Sequence, residues 1–265
     1  SILRAFEGYG WNVNTANNVL RRVMQWRTKH APHRIRMCDL KHVGPSGLVH
    51  LYGFDKCNRP ILYVNARNLN FSDSSHGDVD PYSDENIALK FNYLLYGIEK
   101  CFYYLPEDQH RITWIFDMTD APLSISLVRK LRAMFEQLGD YYPEIINVLM
   151  ICNVSWTLRL VWKVVSSFIS EHVLRRYFVF GSGETERFQQ FLREHVEVDV
   201  LLESIGGPVS NPFHYEKIVE LEELLERFNR QFEECTQSVE DNEKVENRFD
   251  KETPATSSNI DDDLD

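Results

Sequence analysis

The chain is short of the features that would build a disulfide scaffold, a metal centre or a membrane span. Its five cysteines (Cys38, Cys57, Cys101, Cys152 and Cys235) are scattered, odd in number and never spaced Cys-x-x-Cys. Reduced thiols in a cytoplasmic setting are therefore expected. No apolar run reaches the roughly eighteen uncharged residues of a spanning helix, which excludes helical insertion but leaves peripheral contact open. An excess of positive charge is absent too. From Thr236 onward ten acids and three bases contribute −7 of the net −11, so the acidity belongs mainly to the tail. A near-neutral body without a basic footprint argues against general nucleic-acid binding.

Enzymatic motifs are equally scarce. No G-x-G-x-x-G, P-loop, G-x-S-x-G or H-E-x-x-H occurs, and the nine histidines show no metal-ligand spacing. His172 and His195 fall on different expected helices and read as surface or capping residues. Asp117 and Asp120 follow an apolar strand, where α/β active sites usually gather. The plainer reading is that Asp117 binds backbone amides in the strand-to-helix turn. No catalytic residue, cofactor or metal is expected, and the chain reads as non-enzymatic.

The chain does have apolar material. Hydrophobic residues make up 43% of 265 and aromatics 12%, enough for a substantial core. The chain begins at Ser1 inside an apolar helical pattern and shows no signal peptide, so residues before it are expected. Val13, Ala16, Val19, Leu20, Val23 and Met24 predict a helix capped by Asn14 or Thr15 and closing at Trp26-Arg27. Residues 47–52 and 60–65 predict a β-hairpin around a Gly53–Arg59 turn. A loop over 72–81 follows, then a helix capped by Ser83 and ended by Pro106. Apolar strands are expected at 111–118, 145–154 and 177–180, with helices between them, after the last one at 184–195, and again beyond Gly206-Gly207. Residues 236–265 read as an acidic disordered tail.

The segment 154–169, VSWTLRLVWKVVSSFI, is apolar over more of its circumference than one interface requires. Either it is wholly buried, or one side lines a cavity while the other meets a membrane. Its Arg159 and Lys163 suit anionic headgroups, and its tryptophans suit the membrane interface. Glu144 follows Tyr141-Tyr142-Pro143, and Arg175-Arg176 precede a strand. A carboxylate and a guanidinium beside an apolar chamber suit polyol hydroxyls and a phosphate; taken singly, each is an ordinary surface charge.

In order along the chain, LRAFEGYGWNVNTANNVLRRVMQWR, GFDKCNRPILYV, ITWIFDMTD, YYPEIINVLMICNVSW, VLRRYFVFG and SIGG resemble the CRAL-TRIO family of lipid-transfer and lipid-sensing domains. The resemblance implies an α/β fold: a mixed β-sheet floor flanked by helices that enclose a hydrophobic pocket, with the remnant of an N-terminal helical lobe. It implies a lobe remnant over 1–30, the lipid-binding domain over 31–210, an amphipathic helix over 211–235 and the tail over 236–265. Glu144 and Arg176 match an acid and a base near the headgroup in phosphoinositide-binding members. Those members carry a basic pair where this chain has Tyr9 and Gly10. Leu51, Leu62, Ile112 and Trp114 stand where phosphatidylcholine-binding members place tyrosines and hydroxyls; with Phe116 they are expected to line the pocket. Residues 154–169 would be the gate, with Trp156, Arg159, Trp162, Lys163, Val165 and Ile169 meeting the membrane.

One lipid ligand is therefore expected, either phosphatidylinositol or another bulky lipid such as a sterol or tocopherol-like molecule. It would be exchanged during transient peripheral membrane contact, without covalent chemistry. The alternative is a protein-interaction module with a vestigial pocket and a partner on the 215–235 helix. A weaker likeness, through GGPVSNPFHY, points to CRAL-TRIO domains fused to a major-sperm-protein domain.

Overall fold

The computed structural model describes residues 2–71, 80–122, 125–166, 169, 171–210 and 213–231, with the backbone alone at 125, 126, 164, 165 and 200. Most of the expected 72–81 loop and all of the 236–265 tail lie outside the described residues. The chain divides into two units, Ser1–Glu216 and Lys217–Asp265.

The first unit opens with α1 (Ile2–Gly8) and α2 (Val13–His30). The cap of α2 is Asn12, whose side chain accepts from the Thr15 amide at 3.0 Å. That lies just before the expected Asn14 or Thr15, and the helix runs past Trp26-Arg27 to His30. Strands β1 (Val49–Phe54) and β2 (Pro60–Asn65) form the antiparallel hairpin. Asp55, 6% exposed, organises its turn. It accepts from the amides of Cys57 and Arg59, each at 2.9 Å, from Arg59 Nε at 2.9 Å and from Thr113 Oγ1 at 2.7 Å. A buried carboxylate satisfied four times explains the turn sequence.

Strands β3 (Ile112–Asp117), β4 (Ile146–Val154) and β5 (Tyr177–Gly181) extend the sheet in the order β1-β2-β3-β4-β5, all parallel to β2. The crossovers are α3 (Asp84–Tyr103), α4 (Ile125–Tyr141) and the broken pair α5 (Trp156–Ser166) and α6 (Glu171–Leu174). Ser83 caps α3 as expected, accepting from the Asn86 amide.

Period-two alternation gives the sheet two different faces. Leu62, Trp114, Leu149 and Tyr177 are register partners in one row. The crossovers pack on that face: a Cβ at Gly97 of α3 would stand 2.7 Å from Val49 and 2.8 Å from Leu62. Likewise Phe135 of α4 lies 6.2 Å from Phe116 between ring centres, and Trp162 of α5 lies 6.1 Å from Tyr177. The other face carries Tyr63, Ile115, Met150 and Phe180, covered by Phe188 and Leu192 of α7 (Thr185–His195) and by Leu201, Leu202 and Ile205. The result is a mixed five-stranded sheet flanked by helices.

The N-terminal helices are tied to the crossovers. Trp26 stacks on Tyr141 at 4.5 Å, and Arg27 grips Glu99 bidentately at 2.6 and 2.8 Å. Near the end of the unit Phe213 lies 5.5 Å from the His50 ring, and Tyr215 packs over Gly44. Residues 215–231 are helical.

Candidate functional site

Between the Trp114 row, α4 and α6 lies a cavity of about 580 Å³, within the range of small-molecule sites. Trp114, Phe116 and Leu149 form the sheet side; Phe135 and Leu138 come from α4 and Tyr142 from the turn after it; His172 and Val173 come from α6. The remaining wall is the end of α1 and the turn after it, Glu7 to Gly10. Trp114 is 1% exposed and lies parallel to the Phe116 ring at 5.8 Å. Its indole N–H is buried and has no hydrogen-bond partner among the described residues.

Charge concentrates at one end. The Pro143-Glu144 turn joins α4 to β4, and Glu144 adopts a left-handed backbone (φ 52°), with its side chain only 6% exposed. Its Oε2 accepts from Arg176 Nη1 at 2.5 Å and lies 3.4 Å from His172 Nε2 and 3.7 Å from Arg111 Nη2. Arg111 in turn donates to Glu7 at 2.5 Å, and Glu7 also meets His110 at 3.1 Å. A Cβ on Gly8 would stand 3.0 Å from Glu144 Cγ, so α1 closes directly over the carboxylate. Beside this cluster, burial pushes the Tyr177 hydroxyl up to about 12, with the Glu144 carboxylate adding to it. Burial, together with Arg27, lowers the neighbouring Arg4 to about 10.

The structure thus brings Glu144, Arg176, Trp114 and Phe116 to one cavity, along with Tyr9 and Gly10. It does not bring Leu51, Leu62 or Ile112 there. Leu62 is fully buried beneath Gly97 of α3, Ile112 is fully buried at the start of β3, and Leu51 is half-buried on β1. The close approach of a helix without a side chain at Gly97 fills the space above β2.

The expected gate is two helices rather than one. Among the described residues α6, not α5, lines the cavity. On α5, Trp156, Arg159, Leu160 and Lys163 form one exposed stripe, Trp156 being 74% exposed. Arg159 pairs with Glu184. Trp162 turns inward onto Tyr177 instead of joining that stripe. Ile169 is half-buried, and the side chain of Val165 lies outside the described residues. Sequence reasoning missed Glu7, Arg111, His172 and Phe135. Glu7 and Arg111 meet across 104 positions, which no local pattern signals.

The carboxylates Asp117 and Asp120 do not form a pair. Asp117 is 2% exposed and accepts from Tyr63, Asn153 and both the amide and hydroxyl of Thr119. Asp120 turns to Arg67 at 2.7 Å and lines a separate cavity of about 340 Å³ with Asn153, Ser155 and Ser182. Among the described residues no cluster of three His, Cys, Asp or Glu suits a metal, and no helix is long and apolar enough to cross a membrane.

Comparison with known proteins agrees with this geometry. The family model for the CRAL/TRIO domain matches residues 45–207. A CRAL-TRIO domain-containing protein of Schizosaccharomyces pombe is 25% identical over 81% of this chain and 46% of its own length. A phosphatidylinositol transfer protein of Eremothecium gossypii is 24% identical over 71% of this chain and 43% of its own. The chain spans less than half the length of these curated relatives. The crystal structure of Sfh5 superposes with a TM-score of 0.58 at 16% identity, covering 85% of this chain and 80% of that one, and shows a shared fold.

Proposed function

Since the chain belongs to the CRAL/TRIO domain family, a family of lipid-binding and lipid-transfer proteins, we propose that it carries one lipid in the cavity beneath α4 and α6. The cargo is loaded and released at a membrane, with no covalent step. The observation that carries this reading is the cavity itself, lined mostly by apolar side chains with the Glu144 charge cluster at one end.

Energetics support an enclosing site. At about 30 Å³ per water-sized group, about 580 Å³ accommodates about twenty methylene-sized groups. Hiding these from water stabilises the complex by up to about 16 kcal/mol, which no shallow groove provides. At a bilayer the cargo loses little on leaving, so exchange belongs there. The exposed stripe of α5 places an indole and Leu160 beside Arg159 and Lys163, a composition suited to an anionic membrane surface. Glu144 and Arg176 are the proposed polar end of the site. A relative named as a phosphatidylinositol transfer protein is consistent with lipid cargo.

The test is to incubate the purified protein with vesicles of mixed phospholipid and neutral lipid, re-isolate it and record native mass spectra. One lipid per chain, and transfer between donor and acceptor vesicles, are expected. A chain that stays empty and transfers nothing would refute the proposal. That result would favour a protein-interaction module, for which the exposed Leu221, Leu224, Leu225 and Phe228 of the 215–231 helix speak.

A further inference from the structure

We infer that the cargo is an uncharged lipid of single-chain or fused-ring size that bears an oxygen acceptor, and that a phosphorylated headgroup is disfavoured. This inference rests on the carrier reading and narrows its ligand. Charge, an unmet donor and volume lead to it independently.

The first is the charge balance of the wall. Arg176 is the guanidinium among the described lining residues, and both of its terminal nitrogens are engaged. Nη1 donates to Glu144 Oε2 at 2.5 Å and to the Ile146 carbonyl at 3.1 Å, while Nη2 faces His172 Nε2 at 3.3 Å. Arg111, behind it, is held by Glu7 at 2.5 Å. Two carboxylates, Glu7 and Glu144, also line the cavity. A phosphate that took Nη1 would displace Glu144, leaving its 6%-exposed side chain with Arg111 at 3.7 Å and His172 at 3.4 Å beside a second anion, and one that took the remaining N–H of Nη2 would lie beside the same carboxylate. Both the desolvation and the like-charge repulsion oppose that. An ester, ether or hydroxyl disturbs neither pair.

The second is the buried N–H of Trp114. Buried donors almost always find an acceptor in folded proteins, yet this one has none among the described residues, although its ring lines the cavity. The nearby Tyr142 hydroxyl is committed to Glu99 at 2.5 Å. A ligand oxygen would satisfy the indole once the side chains covering its N–H shift to admit it, whereas a pure hydrocarbon would leave the donor unmet.

The third is volume. Space for about twenty methylene-sized groups in about 580 Å³ falls short of the roughly thirty methylenes of a diacyl lipid. It matches one long acyl chain with a small head, or a fused-ring alcohol.

The test uses a matched pair that differs by one phosphate: monooleoylglycerol and monooleoyl lysophosphatidic acid, each delivered to the purified protein from phosphatidylcholine vesicles. Binding is read by quenching of tryptophan fluorescence and by native mass spectrometry. The neutral lipid should bind at least about tenfold more tightly. Trp114→Phe, which keeps the ring but removes the donor, should weaken it about fivefold. Glu144→Gln, which frees Arg176, should narrow the preference for the neutral lipid. Equal or tighter binding of the phosphorylated lipid to the wild-type protein overturns the inference and leaves the carrier reading standing. Binding of neither lipid, with no transfer of any lipid between vesicles, removes both.

Discussion

Acidification should destabilise the folded protein through one buried side chain, His50. The imidazole sits on the face of the sheet away from the cavity, 9% exposed, among the rings of Tyr52, Tyr63 and Phe213. Neither ring nitrogen has a partner of good hydrogen-bond geometry among the described residues, although the Gly47 backbone is near enough to ease protonation a little. Burial pushes the pKa down from 6.5 to about 4. The facing rings offer no carboxylate, and the Tyr63 hydroxyl is spent on Asp117 at 2.8 Å. In the unfolded chain the imidazole takes its proton near 6.5, whereas in the folded protein it resists until about 4. Between those values the unfolded state binds more protons. Stability therefore falls as the pH falls through that window, then levels off below it, and is fully present above about 6.5. The gap is worth up to roughly 3 kcal/mol, a large share of a domain's stability. Urea unfolding across this range, for the wild-type protein and for His50→Phe, isolates the contribution as the difference between two slopes. Parallel pH profiles for the two proteins would refute the reasoning.

Other perturbations address the lid, the charge cluster and the packing. Trp156→Asp should reduce sedimentation with anionic vesicles about tenfold or more, because the indole is 74% exposed on α5. Trp162→Asp, on the inner side against Tyr177, should instead lower the melting temperature. Arg176→Ala should cost about 2–4 kcal/mol in urea unfolding, since it leaves the 6%-exposed Glu144 side chain poorly compensated. An unchanged midpoint would show that the pair is solvated. Gly97→Val should cost about 1–3 kcal/mol, because even its Cβ would stand 2.7 Å from Val49; a melting temperature at the wild-type value would contradict that packing.

Much of this was legible in sequence because it is local. The hairpin turn, the Ser83 cap and the near-continuous apolar runs of β3 and β4 each announce themselves within ten residues or so. Six motifs in order also carried the family. The cavity wall was legible only in part. Trp114 and Phe116 alternate inward on a strand whose type was plain, but nothing near Leu62 says that α3 will lie on it. That depends on Gly97, thirty-five positions away. The break between α5 and α6 was invisible because the apolar pattern continues across it. The partners of Glu144 come from α1, from Arg111 just before β3, from His172 of α6 and from Arg176 between α6 and β5, and such long-range convergence leaves no periodicity to read. Glu144 and Arg176 were found through resemblance, not through spacing.

The end of α1 supplies a wall of the cavity and Glu7 holds Arg111, yet both fall before the stretch 45–207 that the family model matches. A protein trimmed to that stretch would keep every strand of the sheet and lose the stopper at the charged end. Water would then reach the ion pair from behind, and cargo would gain a second way out. Retention time of a bound lipid, more than the fold, should distinguish the trimmed protein from the longer one.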